Sequence, residues 1–195
     1  MPLPPCDLPP DDARPLSLPL PQALQSDDRL LIRPALPADT EAVGRMIQRS
    51  YRALLAEDYP AELLREALPL IGRPRPGVLT CGTYFIAEID ERVLAGGGWT
   101  DASPLGAPGR TGEAHIRHVA TDPDAIRRGL GRRVIGRVMR SARAAGVRVL
   151  HVQATLTSAP FYAALGFEPR AGIELRLPNG LLFPAIQMRW EARGE

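Results

Sequence analysis

A chain of 195 residues, 45% hydrophobic and 24% charged, suits one soluble globular domain with a modest extension. All 24 basic residues are arginine, so a Walker A phosphate loop and Schiff-base chemistry, which both need lysine, are excluded. The formal net charge of +2 gives no argument for a nucleic-acid partner, and no apolar run is long enough to span a membrane.

The first 28 residues are rich in proline (Pro2, Pro4, Pro5, Pro9, Pro10, Pro15, Pro19, Pro21), which removes backbone donors and blocks regular ladders. They read as an arm outside the core, with Leu16, Leu20 and Leu24 as apolar anchors, ahead of a domain over 29–195. No basic region precedes an apolar stretch, so no signal peptide is expected. Cys6 and Cys81 form neither a disulfide framework nor a metal-ligand spacing, and reduced, cytoplasmic thiols are the default reading.

The domain opens with a strand over Leu30–Pro34. A helix follows, capped by Asp39 or Thr40, with Ala42, Val43, Met46 and Ile47 at helical spacing. A second helix is expected from Pro60 to about Ala67. Thr83–Glu88 and Val93–Trp99 read as a hairpin turning at Glu91-Arg92. After a Gly/Pro/Ser loop over Asp101–Gly112, Glu113–Thr121 is the next strand. From Leu130 to about Ala145 the residues Leu130, Val134, Val138 and Ala142 form one apolar stripe, and Gly146 stops the helix. Val147–Ala154 is a strand and Ser158–Leu165 a short helix. Two closing strands, Phe167–Leu177 and Leu182–Trp190, flank the turn Pro178-Asn179-Gly180. Strand, two helices, three strands, helix, strand, helix and two strands make a mixed α/β sheet with helices on its faces.

The chemically informative stretch runs from Thr121 to Arg132. A strand ends, a turn opens at Asp122-Pro123, and a helix starts at Gly129-Leu130-Gly131. Free amides at a helix N-terminus carry partial positive charge and bind phosphate, and glycines let the anion come close. Arg127, Arg128 and Arg132 add charge at the rim. A glycine turn that only packs the helix on the sheet fits the same residues. A Rossmann site fits less well, because Val134 stands where the third glycine is needed.

Ile126-Arg127-Arg128-Gly129-Leu130-Gly131 resembles the Gln/Arg-x-x-Gly-x-Gly/Ala cofactor motif of the GNAT family of N-acetyltransferases in every position but the first. Thr155 to Phe167 resembles that family's Asn-x-x-Ala-x-x-Phe-Tyr-x-x-x-Gly-Phe element. Thr155 and Ser158 are the departures, and Phe161-Tyr162 and Gly166-Phe167 are intact.

The resemblance implies a mixed, mostly antiparallel central sheet flanked by helices on both faces, and acetyl-coenzyme A as cofactor. It implies direct transfer of an acetyl group to a primary amine of a small molecule or peptide; no membrane partner is expected, and a nucleic-acid partner is disfavoured. By resemblance Val119, Ala120 and Thr121 meet the pantetheine arm, and Arg127, Arg128, Gly129, Leu130, Gly131 and Arg132 meet the diphosphate. Tyr162 is the general acid, since a phenol is protonated at neutral pH and can donate to a departing thiolate.

For the base, alternation along Glu113–Val119 places Glu113, His115, Arg117 and Val119 on one face and His118 on the other. His115 occupies a position where several family members carry a Glu base, and Glu113 is a second candidate. Water, or an amine arriving neutral, would serve as well. The oxyanion donor is expected among the amides of Val119–Thr121. Gly96–Gly98 read either as an approach route for the acceptor or as a strand bulge. The acceptor pocket maps to Glu41–Leu68 and Ile173–Trp190, where nothing names an amine, and a homodimer stays open.

Two rival readings remain. One is a catalytically inactive coenzyme A-binding regulator. The other is a basic module using the arginine-rich helix on nucleic acid, which the scarcity of aromatic residues (5%) disfavours. A metal hydrolase fares worse, with His115 and His118 pointing to opposite faces of a strand.

Overall fold

The computed structural model describes residues 29–104 and 109–192. The proline-rich arm with Cys6, the middle of the Asp101–Gly112 loop and the last three residues lie outside the described residues. Strands β1 (Leu31–Pro34), β2 (Tyr84–Ile89), β3 (Arg92–Thr100), β4 (Glu113–Thr121), β5 (Val149–Ala154), β6 (Glu168–Arg176) and β7 (Leu182–Glu191) form one seven-stranded sheet. Its order is β1-β2-β3-β4-β5-β7-β6, and only β4 and β5 run parallel. The expected mixed, mostly antiparallel sheet is observed.

Helices α1 (Thr40–Leu54) and α4 (Leu130–Ala144) cover opposite faces of this sheet. In α1 the buried residues are Val43, Met46, Ile47 and Ser50, one stripe at helical spacing. Val43, Met46 and Ile47 pack with Tyr84, Ile86 and Ala120. In α4, Leu130, Val134, Ile135, Val138 and Ala142 are buried with Phe85, Ala87, Ala114 and Ile116. The alternation of Tyr84 and Ile86 with Phe85 and Ala87 feeds the two cores from one strand.

Asp39 caps α1 differently from the expectation. Its side chain accepts from the Leu36 amide (2.7 Å) and pairs with Arg33, instead of bonding the first turn of the helix. Helix α2 (Ala61–Ile71) runs past the expected end at Ala67 and carries Pro69 inside. A short helix α3 (Pro76–Leu79) starts with proline at its first turn, where the missing N–H costs nothing. The final helix is α5 (Ala159–Ala163).

One strand departs from simple alternation. Against β3, Gly96 pairs with Ala120 but Gly98 pairs with Arg117, so β4 holds one extra residue there. His118 sits at this bulge with φ +43°. The expected common face for Glu113, His115, Arg117 and Val119 is therefore broken. Val119 packs against the α4 core with Ala114 and Ile116, and Ala120 joins the α1 core. Opposite the bulge, a Cβ on Gly97 would come within 2.8 Å of Val119 Cγ2. Gly96–Gly98 line neither cavity described below, so packing around a bulge accounts for them.

Candidate active site

Parallel pairing of β4 with β5 covers only Glu113, Ala114 and His115 against Val149, Leu150 and His151. After His115 the pairing ends and the strands part, just ahead of the bulge. A cavity of about 480 Å³ opens between them, lined by Val119–Thr121 from β4, Val152 and Gln153 from β5, the start of α4, and α5. A cleft in an otherwise continuous sheet offers unpaired backbone groups along its walls.

At one end of the cleft is the turn into α4. The buried carboxylate of Asp122 accepts from the Asp124 amide at 3.0 Å, and Arg49 and Arg92 each bridge Asp122 to Asp124. The ion pairs hold the turn that follows β4. Arg127 (φ +63°) and Gly129 (φ +75°) are both left-handed, which curls the loop into the concave arrangement that binds anions. At Gly129 a Cβ would meet nothing within 4 Å, so the site there opens outward. The first helical bond runs from the Arg133 amide to the Gly129 carbonyl (3.0 Å), which leaves the amides of Leu130, Gly131 and Arg132 ahead of the ladder.

The side chains follow the same pattern. Arg127 and Arg132 line the cavity, as do Gly129, Leu130 and Gly131. Arg128 does not, and its Nη1 is buried with no hydrogen-bond partner among the described residues. Thr157 Oγ1 is likewise buried and unpartnered, and Thr157 lines the cavity. An elongated ligand with a phosphate end fits this combination. Strand-edge groups would meet its body, Thr157 its polar atoms, and the turn its charge. When bound, acetyl-coenzyme A would supply the activated thioester.

Tyr162 and Phe161 both line the cavity from α5. Tyr162, and not Phe161, is the more deeply buried: it is 3% exposed and belongs to the core, with Phe161 partly buried against it. Edge contacts with Phe161 and Phe167, both at 5.3 Å between centroids, fix the Tyr162 ring. Burial, with Tyr51 nearby, raises its pKa well above the ordinary phenol value, and no hydrogen bond opposes the shift.

Glu113 and His115 lie at the paired end of β4 and line neither cavity. Glu113 Oε2 is 2.9 Å from His151 Nε2, a contact that lowers the Glu113 pKa. His115 stacks on His151 at 5.3 Å, and burial, His151 and Arg117 lower its pKa. His118 is the histidine at the cleft. Its carbonyl accepts from the Tyr84 hydroxyl (2.9 Å), and burial, then Arg117, push its imidazole down to about 4.

A second cavity, of about 500 Å³, meets the first at Tyr51, Ile116, His118, Gln153 and Thr155. Its other walls come from α2, the segment before α3, β6 and the turn after it. It includes part of the expected acceptor region but adds Arg73, Arg75 and Arg117, which sequence reasoning did not select. The Arg73-Pro74-Arg75-Pro76 run was the available signal. Gln153, Thr157 and His118 were also missed as cleft residues. Gln153 alternates on β5 like any other strand position, Thr157 lies in the turn between β5 and α5, and the bulge that re-aims His118 has no local signature.

Among the described residues, no cluster of His, Cys, Asp or Glu could hold a metal ion, and no helix is long and apolar enough to cross a membrane. Residues 45–167 match the family model for the acetyltransferase (GNAT) family. No curated protein sequence matches the chain. Similar solved structures include a GCN5-related N-acetyltransferase from Rhodopseudomonas palustris, at 19% identity and TM-score 0.64, covering 83% of this chain and 95% of that one. The PaiA N-acetyltransferase of Thermoplasma acidophilum, solved with coenzyme A, is 11% identical with TM-score 0.61, covering 84% and 99%. The ribosomal-protein-S18-alanine N-acetyltransferase of Escherichia coli is 19% identical with TM-score 0.56, covering 85% and 97%. At such identities these likenesses speak for the fold, while the family model spans the cleft, the turn and α5 together. The chain belongs to the acetyltransferase (GNAT) family, and its cofactor is acetyl-coenzyme A.

Proposed function

We propose that this protein moves the acetyl group of acetyl-coenzyme A directly to a primary amine. The observation that carries the reading is the meeting of two cavities at the gap between β4 and β5, one fitted to the cofactor and one open to an acceptor. The amides of Leu130, Gly131 and Arg132, with Arg127 and Arg132 beside them, would hold the diphosphate. Val119, Ala120 and Thr121 would hold the pantetheine arm, and their amides would offer the oxyanion donor. The amine attacks the carbonyl carbon, the carbon–sulfur bond breaks, and Tyr162 protonates the leaving thiolate.

The amine proton goes to water at the junction. Four guanidiniums line the acceptor cavity, and like charge favours the neutral, nucleophilic amine. His118 stays neutral there and accepts a hydrogen bond, but a pKa of about 4 makes it a poor final proton holder. His115 and Glu113 line neither cavity, and the lowered pKa of Glu113 makes it no better a proton holder than His118, so the proton passes on to solvent.

The test is release of free thiol from acetyl-coenzyme A by the purified chain with a panel of amines, amino acids, polyamines and peptides. Amine-dependent release with recovery of an N-acetyl product is expected. Tight cofactor binding without turnover on any amine points instead to a regulatory coenzyme A-binding domain.

A further inference from the structure

We propose that the acceptor is a small amine that also carries a carboxylate or phosphoryl group, held by the arginines of the second cavity. The proposal rests on the acyl-transfer reading above and narrows its substrate class. Arg73, Arg75, Arg117 and Arg176 all line that cavity, and no Asp or Glu does. They come from three separate places: the segment between α2 and α3, the middle of β4, and the end of β6. No ion pair joins any of them to a carboxylate among the described residues. Several arginines elsewhere do hold carboxylates. Arg33 holds Asp39 and Glu88, and Arg49 and Arg92 hold Asp122 and Asp124.

Arg117 is the informative member. It is partly buried, and its guanidinium donates to the neutral Thr100 Oγ1 at 3.1 Å. Burial, then Arg75, lower its pKa, so its charge is desolvated and faces another charge of the same sign. An anion placed between Arg117 and Arg75 relieves both penalties and gains charge-assisted hydrogen bonds. His118, the next residue, lines both cavities, so a ligand anchored by Arg117 extends toward the cleft where the thioester lies.

Size and shape limit the ligand. A cavity of about 500 Å³ takes a small molecule, and its other walls mix apolar residues, Ile71, Leu175 and Phe183 among them, with the polar His118, Gln153 and Thr155. Nucleic acid does not fit: the Phe183 ring is 1% exposed and already stacked on Tyr59 at 4.6 Å, so no base can stack there.

The experiment uses matched pairs of acceptors with the full chain and acetyl-coenzyme A. Amino acids are compared with their amides, and O-phosphoethanolamine with ethanolamine. Binding of each probe to the coenzyme A-loaded protein is followed in parallel by calorimetry. For at least one pair, kcat/KM for the anionic member is expected to exceed that of its neutral partner tenfold or more. Which pair responds separates carboxylate from phosphoryl.

Arg117→Gln should raise KM for that anionic amine at least tenfold and shrink the gap within the pair. Arg75→Gln should act in the same direction should Arg117→Gln fail to fold. The exposed Arg170→Gln should leave the gap unchanged. Equal rates and equal binding within every pair, or a preference for neutral or cationic amines, overturns the proposal. Absence of turnover with every amine overturns the acyl-transfer reading instead. In that case calorimetric preference for the anionic members, lost in Arg117→Gln, still identifies the arginine cavity as an anion site, and no preference removes it.

Discussion

The hydroxyl of Tyr84 donates to the backbone carbonyl of His118 at 2.9 Å, joining the core of β2 to the bulge that parts β4 from β5. Tyr84 is wholly buried, so this bond sits in a low-dielectric setting where an unmade partner is costly. Tyr84→Phe removes the donor and keeps the ring. The expected loss is about 1–3 kcal/mol of stability, the usual penalty for orphaning a buried acceptor. Because the orphan is at the bulge, KM for acetyl-coenzyme A should also rise. Chemical denaturation and cofactor titration check both parts. A variant with unchanged stability and cofactor affinity removes Tyr84 as the anchor of the cleft.

What could be read from the chain beforehand follows a physical line. The stripe Leu130, Val134, Val138, Ala142 and the hairpin from Tyr84 to Trp99 are local patterns, and local patterns predict elements well. The turn at Gly129 was legible because its left-handed backbone needs a residue type that stands out in a sequence. The gap between β4 and β5 was not legible. The pairing ends at His115, next to one extra residue at His118 that nothing marks as bulge-forming, and that extra residue reversed the face of Val119. The arginine cavity was hidden for a different reason. Arg75, Arg117 and Arg176 are far apart in the chain and only the sheet order brings them together. Asp122 looked like an ordinary turn residue until Arg49, on a distant helix, reached it.

Gly129→Glu should abolish binding of coenzyme A. The residue has φ +75°, where an L side chain costs about 1–2 kcal/mol, so some loss of stability is expected as well. The Cβ meets nothing within 4 Å, so the side chain enters the open cavity and places a carboxylate where the diphosphate charge would sit. Gly129→Ala isolates the backbone part and should weaken binding far less. Calorimetry on the three proteins distinguishes these effects. Wild-type affinity in Gly129→Glu contradicts the phosphate-cradle assignment.

Acid should destabilise the protein partly through His118. Its folded pKa of about 4 lies below the unfolded value of about 6.5, so the unfolded state binds the proton more readily. Stability from this group is complete above pH 6.5 and falls as pH drops toward 4, by on the order of 3 kcal/mol at the limit. His115, also lowered, and Glu113, lowered and losing its effect as pH falls through its folded value, slope the same way. Comparing the wild type with His118→Asn isolates the His118 share. Stability measured by urea denaturation at several pH values should fall less steeply in the variant between pH 6.5 and 4. Parallel curves rule out a buried neutral His118.

Tyr162→Phe should lower kcat by about a hundredfold, within the range for losing a positioned acid, and leave affinity for coenzyme A close to wild type. Burial raises the Tyr162 pKa well above about 10, which at first sight makes it a poor donor. The same burial disfavours a thiolate formed beside it, so the leaving group becomes a stronger base in the same step. The transfer therefore depends on both atoms sharing one dry site, which the 3% exposure of Tyr162 provides. A raised pKa also keeps the phenol protonated, so kcat should show no alkaline decline attributable to Tyr162 below about pH 10. The Phe ring retains the contacts to Phe161 and Phe167, so a folding defect would show separately as a lower Tm. Turnover unchanged in Tyr162→Phe, at wild-type Tm, takes Tyr162 out of the reaction and leaves protonation of the thiolate to water.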